Sequence, residues 1–388
     1  VSYGLTGNNQ IPNYGAIGLL GYAPYISGST YTTGIYTNTF PDKDLKWEKT
    51  GQVNLGLDAF LWNRLELSFD YYRSKTKDLL LDVPIPVLTG FTETLTNIGE
   101  LQNRGMELNI NSKNIVGDFN WSTNLNVFGN RNKIIKLANN NAPFNKSFND
   151  ALVRFEVGQP MANYYGYVFD GVIMSEADMK TYPVWPGSEP GDPKVVDVSG
   201  PDGKPDGIID ENDRTIIGNH EPIFSWGLTN NFDWKGFDLS LMITGSYGGE
   251  IMNQHARFLK SFNGDRNAYK FVKNFWRSES DPGNGQINKP RVIQNTVQHL
   301  SSTYWVEDGS FVRIKNLRIG YNLPKRFTDK MFIQSAKIYI NCENLHVFSN
   351  YSNFDPEGST FQTGAFVGLD YGAYPNPSVW TFGANINF

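Results

Sequence analysis

The chain has 388 residues, 19% of them charged and 14% aromatic, and a formal net charge of −5. Charge is below the soluble norm of about 25%, and the acidic balance excludes nucleic acid as a partner, since phosphate binding needs a basic surface. A single cysteine, Cys342, excludes an intrachain disulfide framework and a cysteine-rich zinc module, and no run of about eighteen apolar residues supplies a transmembrane helix.

Val1 opens directly into SYGLTG, the second half of a strand, with neither a starting Met nor a signal peptide. The chain is therefore expected to begin within its fold. Asn8 to Lys46 shows no period and reads as a loop. QVNLGLDAFL then alternates, with Val53, Leu55, Leu57, Ala59 and Leu61 on one face and Gln52, Asn54, Gly56 and Asp58 on the other. A turn at Trp62 and Asn63 returns it as RLELSFDYY, where Leu65, Leu67, Phe69 and Tyr71 oppose Glu66, Ser68 and Asp70. That is a hairpin with one apolar face. A connection from Leu81 to Asn103, holding Pro84 and Pro86, leads to GMELNIN, which turns near Val116 and Gly117 into FNWSTNLNVFG. The pattern stops from about Arg131 to Pro222. IFSWGLTNNF and FDLSLMITG form a further hairpin about Lys235 and Gly236. A second excursion covers Gly249 to Ser310, with AYKFVKNFW as a candidate helix. FVRIKNLRIGYNLP shifts phase near Asn316, the mark of a bulge, and KIYINCENLHVF follows. In the last strand Trp380, Phe382, Ala384, Ile386 and Phe388 alternate with Val379, Thr381, Gly383, Asn385 and Asn387.

Taken alone, that last strand also fits the half-buried edge of a soluble β-domain. The connections decide for a membrane. They alternate short and long, whereas compact domains keep nearly all of theirs short. Outer-membrane barrels put short turns on the periplasmic side and long loops outside. The expected fold is all-β, an antiparallel transmembrane barrel of which about ten strands are present, with 131–222 and 249–310 as extracellular loops. The carboxyl terminus then falls on the periplasmic side. Backbone in lipid must be closed on itself, and the first strand is left as an edge, so these strands read as part of a larger barrel.

Chemistry-bearing patterns are few. In DVSGPDGKPDGIIDENDRTIIG, Asp202, Asp206, Gly207, Ile209, Asp210 and Asp213 fall at positions one, five, six, eight, nine and twelve of a calcium loop. A structural Ca2+ held by Asp202, Asp206, Asp210 and Asp213 is expected, although Lys204 sits where an oxygen belongs and Asp213 is shorter than the usual Glu. Asp197 or Ser199 would supply the missing oxygen; a solvated Asp/Gly turn is the plainer alternative. His220, His255, His299 and His346 are scattered without metal spacing, and neither a nucleophile elbow nor a phosphate loop occurs. No enzyme is expected. Loop aromatics such as Tyr22, Tyr25, Tyr31, Tyr36, Tyr164, Tyr165, Tyr167, Tyr182, Trp185, Tyr351, Tyr371 and Tyr374 suit stacking on sugar faces or anchoring a protein. For any one of them, interfacial girdle or loop self-packing is the plainer explanation.

The longer motifs are SYGLTGNNQI, PDKDLKWEKTGQVNLGLDAF, SFDYYRSKTKDLLLDVPIP, NIGELQNRGMELNI, VGQPMANYYGYVFDGV, DGIIDENDRTIIGN, YWVEDGSFVRIKNLRIGYNLP, NCENLHVFSNYSNFDPEG and FGANINF. Through them the chain resembles, from end to end, the carboxyl-terminal portion of a SusC/RagA-type TonB-dependent outer-membrane transporter. The resemblance implies a barrel of about 22 strands, occluded by an amino-terminal plug that this sequence does not contain. It implies a SusD-like surface lipoprotein as lid and import driven by TonB with ExbB and ExbD. The family handles glycans and peptides; the loop aromatics favour an oligosaccharide. A non-transporting barrel serving as adhesin or glycan-binding receptor is the alternative, and a soluble glycan-binding module a third.

Overall fold

The computed structural model describes residues 1–388 apart from 10, 12, 261–266, 291–299 and 362. Ten strands make one antiparallel sheet in chain order. They are β1 Ser2–Asn8, β2 Glu48–Leu61, β3 Leu65–Pro84, β4 Glu93–Ile115 and β5 Phe119–Lys136, then β6 Phe224–Trp234, β7 Phe237–Tyr247, β8 Phe311–Asn322, β9 Ser335–Ser349 and β10 Val379–Asn387. Among the described residues β1 and β10 are the two edges, so the sheet is a wall and not a closed ring.

Register carries each strand's alternation across the wall. Leu57 pairs with Phe69, Phe69 with Leu108 and Leu108 with Val127. Further along, Leu239 pairs with Ile319, Ile319 with Ile340 and Ile340 with Phe382. One face is thus a continuous apolar surface, and it is open: Leu57 is 60% exposed and Phe382 76%. Leaving a large apolar side chain in water forgoes about 1.5–3 kcal/mol each. A face of this extent is stable only against lipid.

Backbone conformation explains the tight turns. Trp62 and Asn63 have φ of 53° and 55°, and Lys235 and Gly236 have 47° and 90°. Left-handed pairs match the twist of the flanking strands. The phase shift near Asn316 is a double bulge. Lys315 is extra against β7, and β9 gains a residue at Asn344–Leu345 against β8, with Asn344 at φ 51°.

Strand ends differ from the sequence reading. β3 runs to Pro84 and β4 starts at Glu93, so their connection is 85–92, not 81–103. KTKDLLLDVP breaks alternation at bulges around Thr76 and Leu79 yet keeps its backbone pairing. A tilted strand needs about 9–11 residues to cross a membrane; β4 has 23, and the surplus is freed from lipid's alternation rule. β5 likewise continues past Arg131 to Lys136. The stretch 9–47, read as patternless, holds a hairpin of Leu20–Ser27 and Thr30–Thr37 in full register. AYKFVKNFW forms only a 3-10 turn, Lys270–Asn274.

Most of the buried core lies off the wall, with Val83, Ile134 and Cys342 as its members on wall strands. The described residues of the connections 137–223, 248–310 and 350–378 fold together into a cap. Phe144–Phe148, Ala151–Phe155, Asn163–Gly166 and Thr215–Gly218 form one small sheet; Val306–Asp308, Glu250–Asn253 and Leu369–Asp370 form another. Ala151, Tyr164, Ile217, Met252, Trp305 and Leu369 pack as its centre.

Candidate functional site

The polar face of the wall is the first candidate. Because side chains alternate, every residue flanking an apolar one points to this side. Asn54 Nδ2 donates to Asp70 Oδ1 at 2.8 Å, and Ser68 Oγ to Asp58 Oδ1 at 2.6 Å. Tyr72 Oη donates to Asn130 Oδ1 at 3.1 Å, and Asn130 Nδ2 to Asn103 Oδ1 at 3.1 Å. Lys337 Nζ lies 2.7 Å from Asp238 Oδ1. The surface is a lattice of amides, hydroxyls and carboxylates, and it can exchange hydrogen bonds with a polar solute. Two tyrosines lie flat on this face over glycines. Tyr72 faces Gly105 and Tyr339 faces Gly383 across their ladders. A Cβ at Gly105 would stand 2.5 Å from the Tyr72 ring. The Arg318 guanidinium covers the Tyr339 ring at 4.5 Å.

The cap is tied to the wall by a buried charge cluster. Arg313 on β8 is 2% exposed and pairs with Asp355 at 2.5 Å and with Glu357. Asp355 also accepts from the backbone N–H groups of Glu357 (3.0 Å) and Asn376 (2.9 Å), and from Asn376 Nδ2 (3.0 Å). That many donors satisfy the carboxylate where it is buried. Tyr164, fully buried, shares its hydroxyl between Glu250 O (3.1 Å) and Gly368 O (2.7 Å), linking all three connections. Burial pushes its phenol well above the ordinary range. Burial raises Tyr304 to about 12 and pulls Lys260 down, against the opposing effect of Glu307. It also lowers His220, whose Nδ1 has no hydrogen-bond partner.

The acidic loop is built from its own hydrogen bonds. Asp210 Oδ1 accepts from Asn212 N at 2.7 Å and caps the turn Glu211–Asp213. Asp213, fully buried, accepts from Val198 N, Ser199 N and Asp210 N at 2.8, 3.2 and 2.8 Å. Asp206 Oδ1 accepts from Ile208 N at 3.0 Å, Asp197 Oδ2 accepts from Gly207 N at 2.7 Å, and Asp202 is exposed. Among the described residues no three His, Cys, Asp or Glu side chains converge as a metal ion requires. His220, His255 and His346 lie on separate segments, and His299 is outside the described residues.

The aromatics divide. Tyr164, Tyr167 and Tyr351 are core, and Trp185 packs edge-on to Tyr167. Tyr165 lies under Arg154 and Tyr182 under Lys194. Tyr22, Tyr25, Tyr31, Tyr36 and Tyr374 remain open to contact. The Arg313–Asp355 anchor escaped sequence reading: both residues sit in conspicuous motifs, but no spacing links positions 42 apart.

The family model described as "TonB dependent receptor-like, beta-barrel" matches residues 2–387. The chain belongs to that family. This receptor barrel is 36% identical over 400 residues to TonB-dependent receptor P3 of Formosa agariphila, covering all of this chain and 39% of that protein. It is 30% identical over 380 residues to TonB-dependent receptor SusC of Bacteroides thetaiotaomicron, covering 95% of this chain and 34% of that protein. The solved RagAB peptide transporter superposes with a TM-score of 0.81 at 26% identity, over all of this chain and 40% of that one. The receptor barrel therefore spans about two-fifths of the length of these relatives. Family membership puts the apolar face in an outer membrane.

Proposed function

We propose that the protein to which this barrel wall belongs imports a polar nutrient across the outer membrane, driven by TonB with ExbB and ExbD and paired with a SusD-like lipoprotein. The observation that carries the reading is the division of one wall into an open apolar face and a hydrogen-bonded polar face. Similarity to a protein named SusC supports the lipoprotein partner. The cap would meet that lipoprotein, short turns would face the periplasm, and the carboxyl terminus with them. Oligosaccharide is the proposed cargo, supported by the open tyrosines of the Leu20–Thr37 hairpin; similarity to the RagAB peptide transporter supports peptide as the second reading. The test is uptake of fluorescent oligosaccharides and peptides by cells with and without the gene, each with and without TonB. Uptake of one class that needs both genes supports import, and the class names the cargo. Surface binding without uptake, unchanged by loss of TonB, would mean an adhesin or glycan receptor instead. Calcium at Asp202, Asp206, Asp210 and Asp213 belongs to the proposal through its oxygen-rich spacing. A calcium titration that leaves proteolysis of this loop unchanged would remove it.

A further inference from the structure

The geometry points to a bound anionic glycerophospholipid at the short-turn end of β6–β10. Its phosphate would lie on Lys235, Lys325, Arg326 and Lys330, with an acyl chain in the groove beside them. The β6–β7 turn and the β8–β9 connection are neighbours there. Asn322 donates to Gly236 O from its backbone N at 2.8 Å and from Nδ2 at 3.3 Å. All four basic side chains are exposed, and among the described residues no ion pair involves them. In these two turns they face one acid, Asp329. Asp233 and Asp238 nearby belong to the polar side, where Asp238 is held by Lys337. Lys235 lies over the Trp234 ring and Arg326 over the Phe327 ring, at 5.0 and 4.8 Å.

The same connection exposes two aromatics. Phe327 is 48% exposed and Phe332 92%, the latter held outward at φ 57°. Cations beside bare aromatic rings suit the level of lipid headgroups, where rings enter the acyl boundary and ammonium or guanidinium groups meet phosphate. Directly above, on the apolar face, is a groove of about 460 Å³ lined by Phe237, Ile319, Tyr321, Ile338, Ile340 and Phe382. Phe237 and Tyr321, rings 4.4 Å apart, form its lip beside Gly236. The groove is continuous with the lipid-facing surface, so position selects an acyl chain and charge selects an anionic head. A diacyl phospholipid satisfies both at once; free phosphate satisfies only one. Assignment to the inner leaflet rests on the orientation proposed above.

The test is native mass spectrometry of the full-length receptor, stripped in mild detergent and offered phosphatidylglycerol, phosphatidylcholine, lipid A or glycerol 3-phosphate. Expected is retention of phosphatidylglycerol over phosphatidylcholine, with no competition from glycerol 3-phosphate. Each cation removed from K235A/K325A/K330A should cost roughly fivefold of that preference. Ile338→Trp, which fills the groove, should weaken both phospholipids alike. Equal retention of the two phospholipids, a preference unchanged in the triple variant, or stronger retention of lipid A would overturn the proposal. Competition by glycerol 3-phosphate would reduce it to a phosphate site without the groove. Should the triple variant fail to reach the outer membrane, Lys325→Ala alone, read the same way, decides.

Discussion

The wall and the cap are stabilised by opposite solvents. In the wall Leu57, Ile319 and Phe382 are exposed and row-mates such as Phe69 and Leu108 half-buried, and the inner side is a polar lattice. In the cap Tyr164, Met252, Trp305 and Leu369 are buried against one another. One chain therefore carries two hydrophobic arrangements, one closed by lipid and one closed by itself. They meet at Arg313 and where Ile134 of β5 packs with Val153, Phe155 and Ala162. Ordering of the cap is expected to depend on the wall more than the wall's backbone ladder depends on the cap.

The sharpest way to break that comparison is Arg313→Met. It leaves Asp355 buried without its partner, and removing one member of a buried pair costs about 3–5 kcal/mol. The expected result is fast hydrogen exchange and proteolysis in 350–378, with heat-resistant barrel mobility on gels unchanged. Equal loss of both regions would show that they are one unit. Next is Leu57→Arg, which puts a charge on the lipid face; about 2–4 kcal/mol is expected near the bilayer midplane. Asn109→Arg, on the polar face of a neighbouring ladder, should leave assembly in the outer membrane near normal. Similar assembly defects in the two variants would contradict the assignment of faces. Tyr164→Phe should loosen the cap by about 1–3 kcal/mol, since two buried carbonyls lose their shared donor. Its readout is exchange at Glu250 and Gly368.

The smallest effect is one of pH. Burial lowers His220 below its ordinary value of about 6.5, so the unfolded segment takes up the proton first. Cap stability from this residue is fully present above about pH 6.5 and is lost as pH falls. Protection of cap amides, relative to their intrinsic exchange at each pH, should therefore fall between pH 7 and 5.5, and His220→Gln should flatten that change. A profile that the substitution does not alter would assign the dependence to other groups.

All ten wall strands were legible because lipid on one side and water on the other impose a strict period of two. Where that pressure ends, legibility ends: KTKDLLLDVP remains strand by backbone pairing alone. Ala151–Phe155 does alternate between buried and half-buried positions, but over five residues, too few to stand out. The charge anchor was hidden for another reason. Arg313, Asp355 and Glu357 are brought together by a bulged strand and a folded loop, neither of which leaves a spacing. The aspartate loop shows the reverse: its spacing was conspicuous, yet Asp210 and Asp213 are already occupied by backbone amides.

Tyrosines laid over glycines on the polar face bear on how wide a passage such a wall leaves. With Gly105 and Gly383 beneath them, the rings of Tyr72 and Tyr339 spend their length along the wall instead of across the lumen. A single methyl group at Gly383, which would meet Tyr339 side-chain atoms as its nearest neighbours, would lift that ring away from the wall. Bore can thus be narrowed one residue at a time, at a fixed number of strands and with the lipid-facing surface untouched. Calibre and membrane fit are separately adjustable in this wall.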